Sequence, residues 1–383
     1  MININEKKDC CGCSSCAQIC PKKCIIMQED EEGFLYPSLD HNKCVDCGIC
    51  EKVCPILNPS IKKDLINAYA AINDKDEVRY TSSSGGLFIP IAEEIIKKGG
   101  VVFGASFNKT WEVVISYTET IEGLDAFKGS KYLQAKVENA YKECENFLKA
   151  GRKVLFTGTP CQIAGLNRFL RKDYASLYTI ACVCHGAPSP GVWKKYLGEI
   201  SKGRIPIKVK FRDKSTGWFG YSFSIEYSNG NIYKKQACDE PYMQAFFHSL
   251  IERPYCSKCS FRLGYSNADL MLGDLWRIEK LVPDFNDNLG TSIVIIYNKR
   301  GEDLFNAIKK IYKNINLEEA IPYNSGLGIP SKQHKNRMIF FRNWKQSENI
   351  SKLFFDLLKL NTFEKMVLIF RKLANKTIIK IKK

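Results

Sequence analysis

Ten cysteines crowd the first sixty residues, and eight of them fall into two copies of one spacing: Cys10-x2-Cys13-x2-Cys16-x3-Cys20-Pro21 and Cys44-x2-Cys47-x2-Cys50-x3-Cys54-Pro55. Three cysteines at intervals of two wrap one face of an iron-sulfur cubane, with loop amides turned toward its sulfurs. The fourth, followed by proline, reaches the neighbouring cluster. The spacing therefore assigns Cys10, Cys13, Cys16 and Cys54 to one [4Fe-4S] cluster, and Cys44, Cys47, Cys50 and Cys20 to a second. Structural zinc uses separated C-x2-C pairs and has no need of a third cysteine in the same loop. Cys11 and Cys24 lie off the spacing and read as ordinary buried or half-exposed thiols, as do Cys144 and Cys238.

The double run is the full bacterial ferredoxin pattern, so residues 1–60 are expected to form a ferredoxin-type domain. At 383 residues with 45% hydrophobic content, the chain has material for a main domain beside it. Seventeen cysteines, an odd number, with no export signal read as metal ligands in a reducing compartment rather than a disulfide framework. No apolar run approaches the roughly 18 residues of a spanning helix. A cytoplasmic protein is expected. The net charge of +16 suggests an anionic partner. It is spread along the chain without a recognised binding motif, however, and nucleic acid is set aside.

After a composition shift near Asn58–Asp64, helix-like and strand-like stretches alternate. Strands are expected at Leu65–Ile72, Val101–Phe107, Lys153–Thr157 and Tyr178–Val183, with helices over Leu87–Lys98 and from Cys161 to about Leu170. Pro90 is tolerable in the first turn of its helix. The Ser/Gly-rich loop at Thr81–Gly86 reads equally as a phosphate site at a helix N-terminus or as a plain cap. Cys161 and Cys184 stand at strand ends, where α/β folds gather ligands, and Cys256-x2-Cys259 follows Arg253-Pro254. These four thiols hold a third [4Fe-4S] cluster, a zinc ion or nothing. Cys182 shares a strand face with Cys184 and competes for the same place.

Several strings then add up: Ser82-Ser-Ser-Gly-Gly86, Gly129-Ser-Lys-Tyr132, Phe156-Thr-Gly-Thr-Pro-Cys-Gln162, Cys184-His-Gly-Ala-Pro-Ser-Pro190, Phe211-Arg-Asp-Lys214 with Gly217-Trp218, Arg253-Pro-x-Cys-x2-Cys-x-Phe261 and Gly273-Asp-x-Trp276. Together, over roughly residues 5–345, they resemble the coenzyme F420 hydrogenase/dehydrogenase beta-subunit family. The resemblance implies a flavoprotein that binds FAD beside an iron-sulfur cluster and exchanges electrons with a deazaflavin or another organic acceptor. It makes Cys161, Cys184, Cys256 and Cys259 the third cluster's ligands. It makes Ser83, Ser84, Gly85, Gly86, Gly129, Ser130 and Lys131 candidates for flavin contact. Arg212 and Lys214 are candidates to stabilise reduced flavin, against a reading as structural ion pairs. His185 is a candidate proton donor, against one as a loop-orienting imidazole.

From Lys352 to Lys383 nine basic residues stand against two acidic ones, interleaved with apolar residues at near-helical spacing. Such a helix lies on an anionic membrane or packs on the body. With this tail the chain resembles bacterial family members associated with surface-polysaccharide synthesis, which often lack F420. The expected fold class is thus a small α+β ferredoxin domain (1–60), a larger mixed α/β flavin-binding body (65–345) and a basic amphipathic helical tail (346–383). The expected function is oxidoreductase: electrons pass between a soluble protein partner, three clusters and FAD, and an unidentified small molecule. A non-catalytic electron-transfer subunit docked on a partner enzyme is the alternative.

Overall fold

The structure is a computed structural model that describes residues 2, 4 and 6–359. At the N-terminus, β1 (Ile25–Glu29) and β2 (Leu35–Leu39) form an antiparallel hairpin, and short helices Ser15–Ile19 and Ile49–Lys52 follow the two cysteine loops. Residues 59–65 carry no helix or strand. The body is then built on β3 (Asn67–Ile72), β4 (Val101–Phe107), β5 (Val113–Thr118), β6 (Val154–Gly158), β7 (Leu177–Cys182), β11 (Leu270–Asp274), β12 (Ser292–Ile296) and β13 (Ile311–Asn314). Between β7 and β11, a separate sheet is made of β8 (Pro206–Asp213), β9 (Ser222–Tyr227) and β10 (Ile232–Gln236).

The large sheet has eight strands in the order β13-β3-β12-β11-β7-β6-β4-β5. Its centre, β11-β7-β6-β4, is parallel, and both flanks are antiparallel. Strands buried on two faces read as continuous apolar runs, and alternation sorts them. Val101, Phe103, Val154, Phe156, Ile293 and Ile295 point into one core, while Val102, Leu155, Val294 and Ile296 point into another. Helix Pro160–Leu170 opens on a capping box between Thr159 and Gln162 with Pro160 in its first turn. That places Cys161 at the C-terminal end of β6. The helix expected over Leu87–Lys98 spans Phe88–Lys97, but no side chain caps it, because the serines before it are bonded elsewhere.

A third core lies under the three-stranded sheet, where helices Pro190–Ser201, Pro241–Phe247, Arg337–Asn343 and Ile350–Leu358 bury Trp193, Tyr196, Tyr242, Phe340 and Phe354. The start of the expected tail therefore belongs to the body: Ile350 and Phe354 are fully buried, and Phe354 stacks on Phe340 at 5.2 Å. Residues 360–383, with the expected membrane contact, lie outside the described residues. No helix among the described residues is long and apolar enough to cross a membrane.

Glu240 is fully buried in this core, where it caps helix Pro241–Phe247 through Met243 N and accepts from Tyr196 Oη. Burial pushes its carboxyl from 4.5 up to about 7, against the pull of those bonds. Because the folded value lies above the unfolded one, its contribution is complete below about 4.5 and is lost as pH rises through about 7. Between pH 5 and 8 this one group should lower stability by on the order of 3 kcal/mol. Urea denaturation at both values should show Glu240→Gln removing that part of the slope; an unchanged slope would contradict the assignment.

Candidate metal centres and the crevice beside them

The two cysteine loops repeat one backbone device. Left-handed residues flank the middle cysteine in each, Gly12 (φ +73°) and Ser14 (φ +65°) around Cys13, and Asp46 (φ +48°) and Gly48 (φ +69°) around Cys47. Such turns direct successive amides to one side. Amides of Gly12, Ser15 and Ala17 bond to Cys10, Cys13 and Cys16, and those of Ile56 and Leu57 to Cys54. In the second loop Asp46 N donates to Cys44 Sγ (3.4 Å) and Ile2 N to Cys50 Sγ (3.2 Å), while amides of Lys22, Cys24 and Ile25 reach Cys20.

The sulfurs ring two open recesses. One, with about 350 Å³ of empty space, is lined by Cys10, Cys11, Cys13, Cys16 and Cys54. The other, with about 330 Å³, is lined by Cys20, Cys24, Cys44, Cys47 and Cys50. Among the described residues no three His, Cys, Asp or Glu side chains close on a point as they would around a single ion. Separated thiols with amides aimed at them are the donor set of a cubane, so these residues fit the clusters expected of them. Each recess also holds a fifth thiol. Cys24 Sγ lies 3.2 Å from Cys20 Sγ, and Cys11 packs beside Cys13, whose thiol is drawn down to about 7.

A third group gathers inside the body. Cys161 follows β6, Cys184 lies just beyond β7, Cys256 lies within the 3-10 turn Pro254–Lys258 and Cys259 directly after it; Cys161 sits close enough to the other three to help raise their pKa values. Ala187 N donates to Cys256 Sγ (3.3 Å), and the Phe261 amide reaches Cys259. The second sulfur cluster faces outward, with Cys47 exposed, whereas Cys11 and Cys13 pack against Ala164, Tyr255, Phe261, Cys161 and Cys259. Three thiol groups thus follow one another from the surface inward.

His185 is held from both sides, by Ser325 Oγ on Nδ1 (3.1 Å) and by Ser249 Oγ on Nε2 (3.3 Å), with Glu252 Oε1 nearby at 3.3 Å from Nε2. Burial, aided by the Arg262 cation, lowers its pKa to about 4, so the ring is neutral. Glu252 is buried and pushed up to about 7 by that burial. Gly186 is required here, since a Cβ would meet the Glu252 carboxylate at 2.2 Å.

At the C-terminal ends of the parallel strands, where α/β folds place their ligand crevice, β7 finishes at Cys182, which is exposed. Desolvation pushes its thiol up to about 11, and the Lys131 ammonium nearby partly offsets this. Burial brings Lys131 down to about 8; its Nζ donates to Lys128 O and Gly129 O. Ser83 Oγ accepts from Ser130 N (2.7 Å), joining two of the predicted loops, and Ser83 O accepts from Trp218 Nε1. Trp218 stacks on Trp276 at 4.5 Å. The buried Arg212 pairs with Asp274 and lies over Tyr221 (4.5 Å) and Trp276 (5.6 Å), with Nε and Nη2 unpartnered. Ser84 Oγ and Gly85 N are taken up by Thr291 O and Ser292 Oγ, and the Gly86 carbonyl by Asn73. Lys214 Nζ is held by the carbonyls of Arg79, Leu289 and Ser84, which makes it a clamp on the serine loop.

Comparison with known proteins matches this architecture segment by segment. Residues 9–57 match a 4Fe-4S dicluster domain, and residues 151–320 match the family described as the C terminus of the coenzyme F420 hydrogenase/dehydrogenase beta subunit. The chain joins these two domains. It is 25% identical over 346 residues to the coenzyme F420-dependent sulfite reductase of Methanocaldococcus jannaschii, covering 82% of this chain and 49% of that protein. It is 26% identical over 173 residues to an F(420)H(2) dehydrogenase subunit of Methanosarcina mazei, covering 43% and 49%. The chain spans about half the length of these curated relatives. The F420-reducing [NiFe] hydrogenase complex from Methanosarcina barkeri overlaps loosely, at TM-score 0.46 and 17% identity over 68% of this chain and 86% of that one.

Within the dicluster and beta-subunit domains, three residues outside the sequence-predicted sets matter. Arg253 is buried between the domains, donating to Cys10 O (2.7 Å) and Gln134 Oε1 (3.1 Å) over the Tyr36 ring at 3.9 Å. Asp274 and Cys11 are the others, and each depends on a partner far along the chain, which spacing does not reveal. If the body thiols hold a cubane, Cys259→Ala should lower iron from roughly twelve to roughly eight per chain without disturbing the N-terminal pair. Iron analysis beside the wild type checks this; unchanged iron would contradict it.

Proposed function

We propose that this chain is an iron-sulfur flavoprotein oxidoreductase that carries electrons between a protein partner at its dicluster domain and an organic acceptor at the crevice. The reading rests on one observation: Cys47 is exposed, Cys11 and Cys13 pack against Cys161, and Cys184 stands two residues from the accessible Cys182 beside Lys131. When bound, the clusters supply one-electron transfer and FAD converts it to two-electron chemistry. Cys161, Cys184, Cys256 and Cys259 are assigned to the body cluster.

The chain's own residues have separable tasks. Ser83 and Ser130 tie two loops together at the crevice. Lys131, half-buried with a lowered pKa, holds a positive charge toward the anionic edge or phosphates of the flavin. The two unpartnered donors of Arg212 sit in an aromatic box against Asp274 and suit an acceptor that becomes negative on reduction. Lys214 acts by positioning the serine loop. The neutral His185, fixed at both nitrogens, orients the segment after Cys184.

F420 as acceptor draws support from the names of the relatives, and a link to surface-polysaccharide synthesis only from the sequence resemblance. Because the chain spans about half of those relatives, a second reading is favoured to the same extent: an electron-transfer subunit whose partner holds the acceptor site.

Anaerobically purified protein, reconstituted with FAD, distinguishes the two. The first reading expects about one FAD per chain, and Lys131→Ala should weaken flavin binding about tenfold, as expected for loss of one charge-assisted contact. Chains that take up no flavin while keeping their iron would overturn the crevice assignment and leave the carrier.

A further inference from the structure

Among the described residues five arginines are buried: Arg79, Arg212, Arg253, Arg262 and Arg337. Three of them meet carboxylates, Arg79 with Asp76 and Asp287, Arg212 with Asp274, and Arg337 with Glu32. Arg253 (1% exposed) and Arg262 (6% exposed) meet neutral oxygens instead. Arg253 donates to Cys10 O (2.7 Å) and Gln134 Oε1 (3.1 Å), and Arg262 to Ser325 O (3.1 Å) and His185 O (3.4 Å). Each keeps a buried donor without a partner, Nη2 of Arg253 and Nε of Arg262. Glu252 is next in sequence, but its carboxyl accepts from Ser331 (2.7 Å) and lies beside His185 (3.3 Å), bonding neither arginine. These two cations bracket the body thiols in the run Arg253-Pro-Tyr-Cys256-Ser-Lys-Cys259-Ser-Phe-Arg262.

Hydrogen bonds fix both cations against the segments that carry the thiols. Arg253 O accepts from Cys256 N (3.0 Å), and Ala187 closes the same turn, accepting from Arg253 N (2.9 Å) and donating to Cys256 Sγ (3.3 Å). The Arg253 guanidinium reaches from there to the carbonyl of Cys10 in the dicluster domain, while Arg262 holds the carbonyl that follows Cys184. A buried cation without a counter-anion is costly, and a cubane on four thiolates is an anion that grows more negative with each electron. Resting on the assignment of Cys161, Cys184, Cys256 and Cys259 to a body cluster, we propose that Arg253 and Arg262 are its counter-cations and act as positioning residues for the electron, favouring the reduced state so that electrons from the dicluster domain collect in the body. In that step the inner dicluster centre is oxidised by one electron and the body centre is reduced by the same electron; no bond breaks and no proton moves. Arg253, bonded to Cys10 as well, acts on both sides of the seam, and Arg262 on the body side. Neither lines the outward recess of Cys20, Cys44, Cys47 and Cys50.

The test compares full-length wild type with Arg253→Gln, Arg262→Gln, Arg253→Lys and Arg262→Lys, purified anaerobically, by iron content and by redox titration followed with EPR. Each should hold roughly twelve irons. In Arg262→Gln the body cluster's reduction equilibrium should shift about tenfold toward the oxidised state, the size expected for losing one nearby charge in a partly screened interior. The dicluster pair should titrate there as in the wild type. Arg253→Gln should displace the body cluster and the inner dicluster centre together, again with the outer centre unmoved. Both lysine variants keep the charge and should titrate close to the wild type. Glutamine variants that coincide with the wild type overturn the proposal, and so do lysine variants displaced as far as the glutamine ones. Loss of four irons in the glutamine variants with retention in the lysine ones supports it, since the charge survives in the latter. The same loss in both overturns it and makes the arginine fork a scaffold. Roughly eight irons in the wild type would sink the three-cluster reading itself, a result distinguishable from failure of the two arginines alone.

Discussion

The seam between the dicluster domain and the body depends on a buried guanidinium. Arg253 is 1% exposed, between Tyr36 and Phe34 on one side and the thiols of Cys10, Cys11 and Cys256 on the other. Burying a cation is costly unless charge and hydrogen bonds surround it. Here carbonyl and amide oxygens accept two of its donors, Nη2 is left without an oxygen partner, and sulfur groups able to carry negative charge lie on both sides. Electrostatic demand therefore draws two thiol groups toward one residue, and the close contact of Cys13 with Cys161 follows from it.

Other contacts at the seam reinforce that arrangement. Ser15 Oγ donates to Gly165 O (2.9 Å), Tyr141 N to Gln18 Oε1 (3.0 Å), and Arg337 pairs with Glu32 (2.6 Å). Glycines stand where the two backbones meet, with Gly33 against Gly191. An electron path tolerates little play in distance, and a seam built of paired polar groups and missing side chains gives fixed separation. The parallel centre of the sheet ends at Cys182, at the strand ends where α/β folds gather ligands.

The legibility of these features in the sequence tracks how local they are. The dicluster-type domain was readable because eight cysteines fall into a short repeating spacing, and even the left-handed turns are half visible as Gly12 and Gly48. Strands β4, β6 and β7 were readable as apolar runs, and they placed Cys161 and Cys184 at strand ends. The place of Cys11 at the seam was not readable, because what distinguishes it from any buried thiol is its packing against Cys161. The serines after Thr81 resembled a helix cap, but Ser130, Thr291 and Ser292 claim that loop from elsewhere in the chain. The amphipathic spacing after residue 346 was legible, while its partner was not: a helix with one apolar face looks the same whether it meets a membrane or Tyr196 and Phe340.

The proposed electron path requires a third metal cluster between the dicluster domain and the strand ends at Cys182, held by Cys161, Cys184, Cys256 and Cys259. Anomalous scattering at the iron edge, from crystals grown without oxygen, tests it without reference to substrate or partner. Three separate iron centres are expected, the third among those four cysteines. Two centres confined to the N-terminal domain, with ordered but unligated thiols in the body, would contradict it.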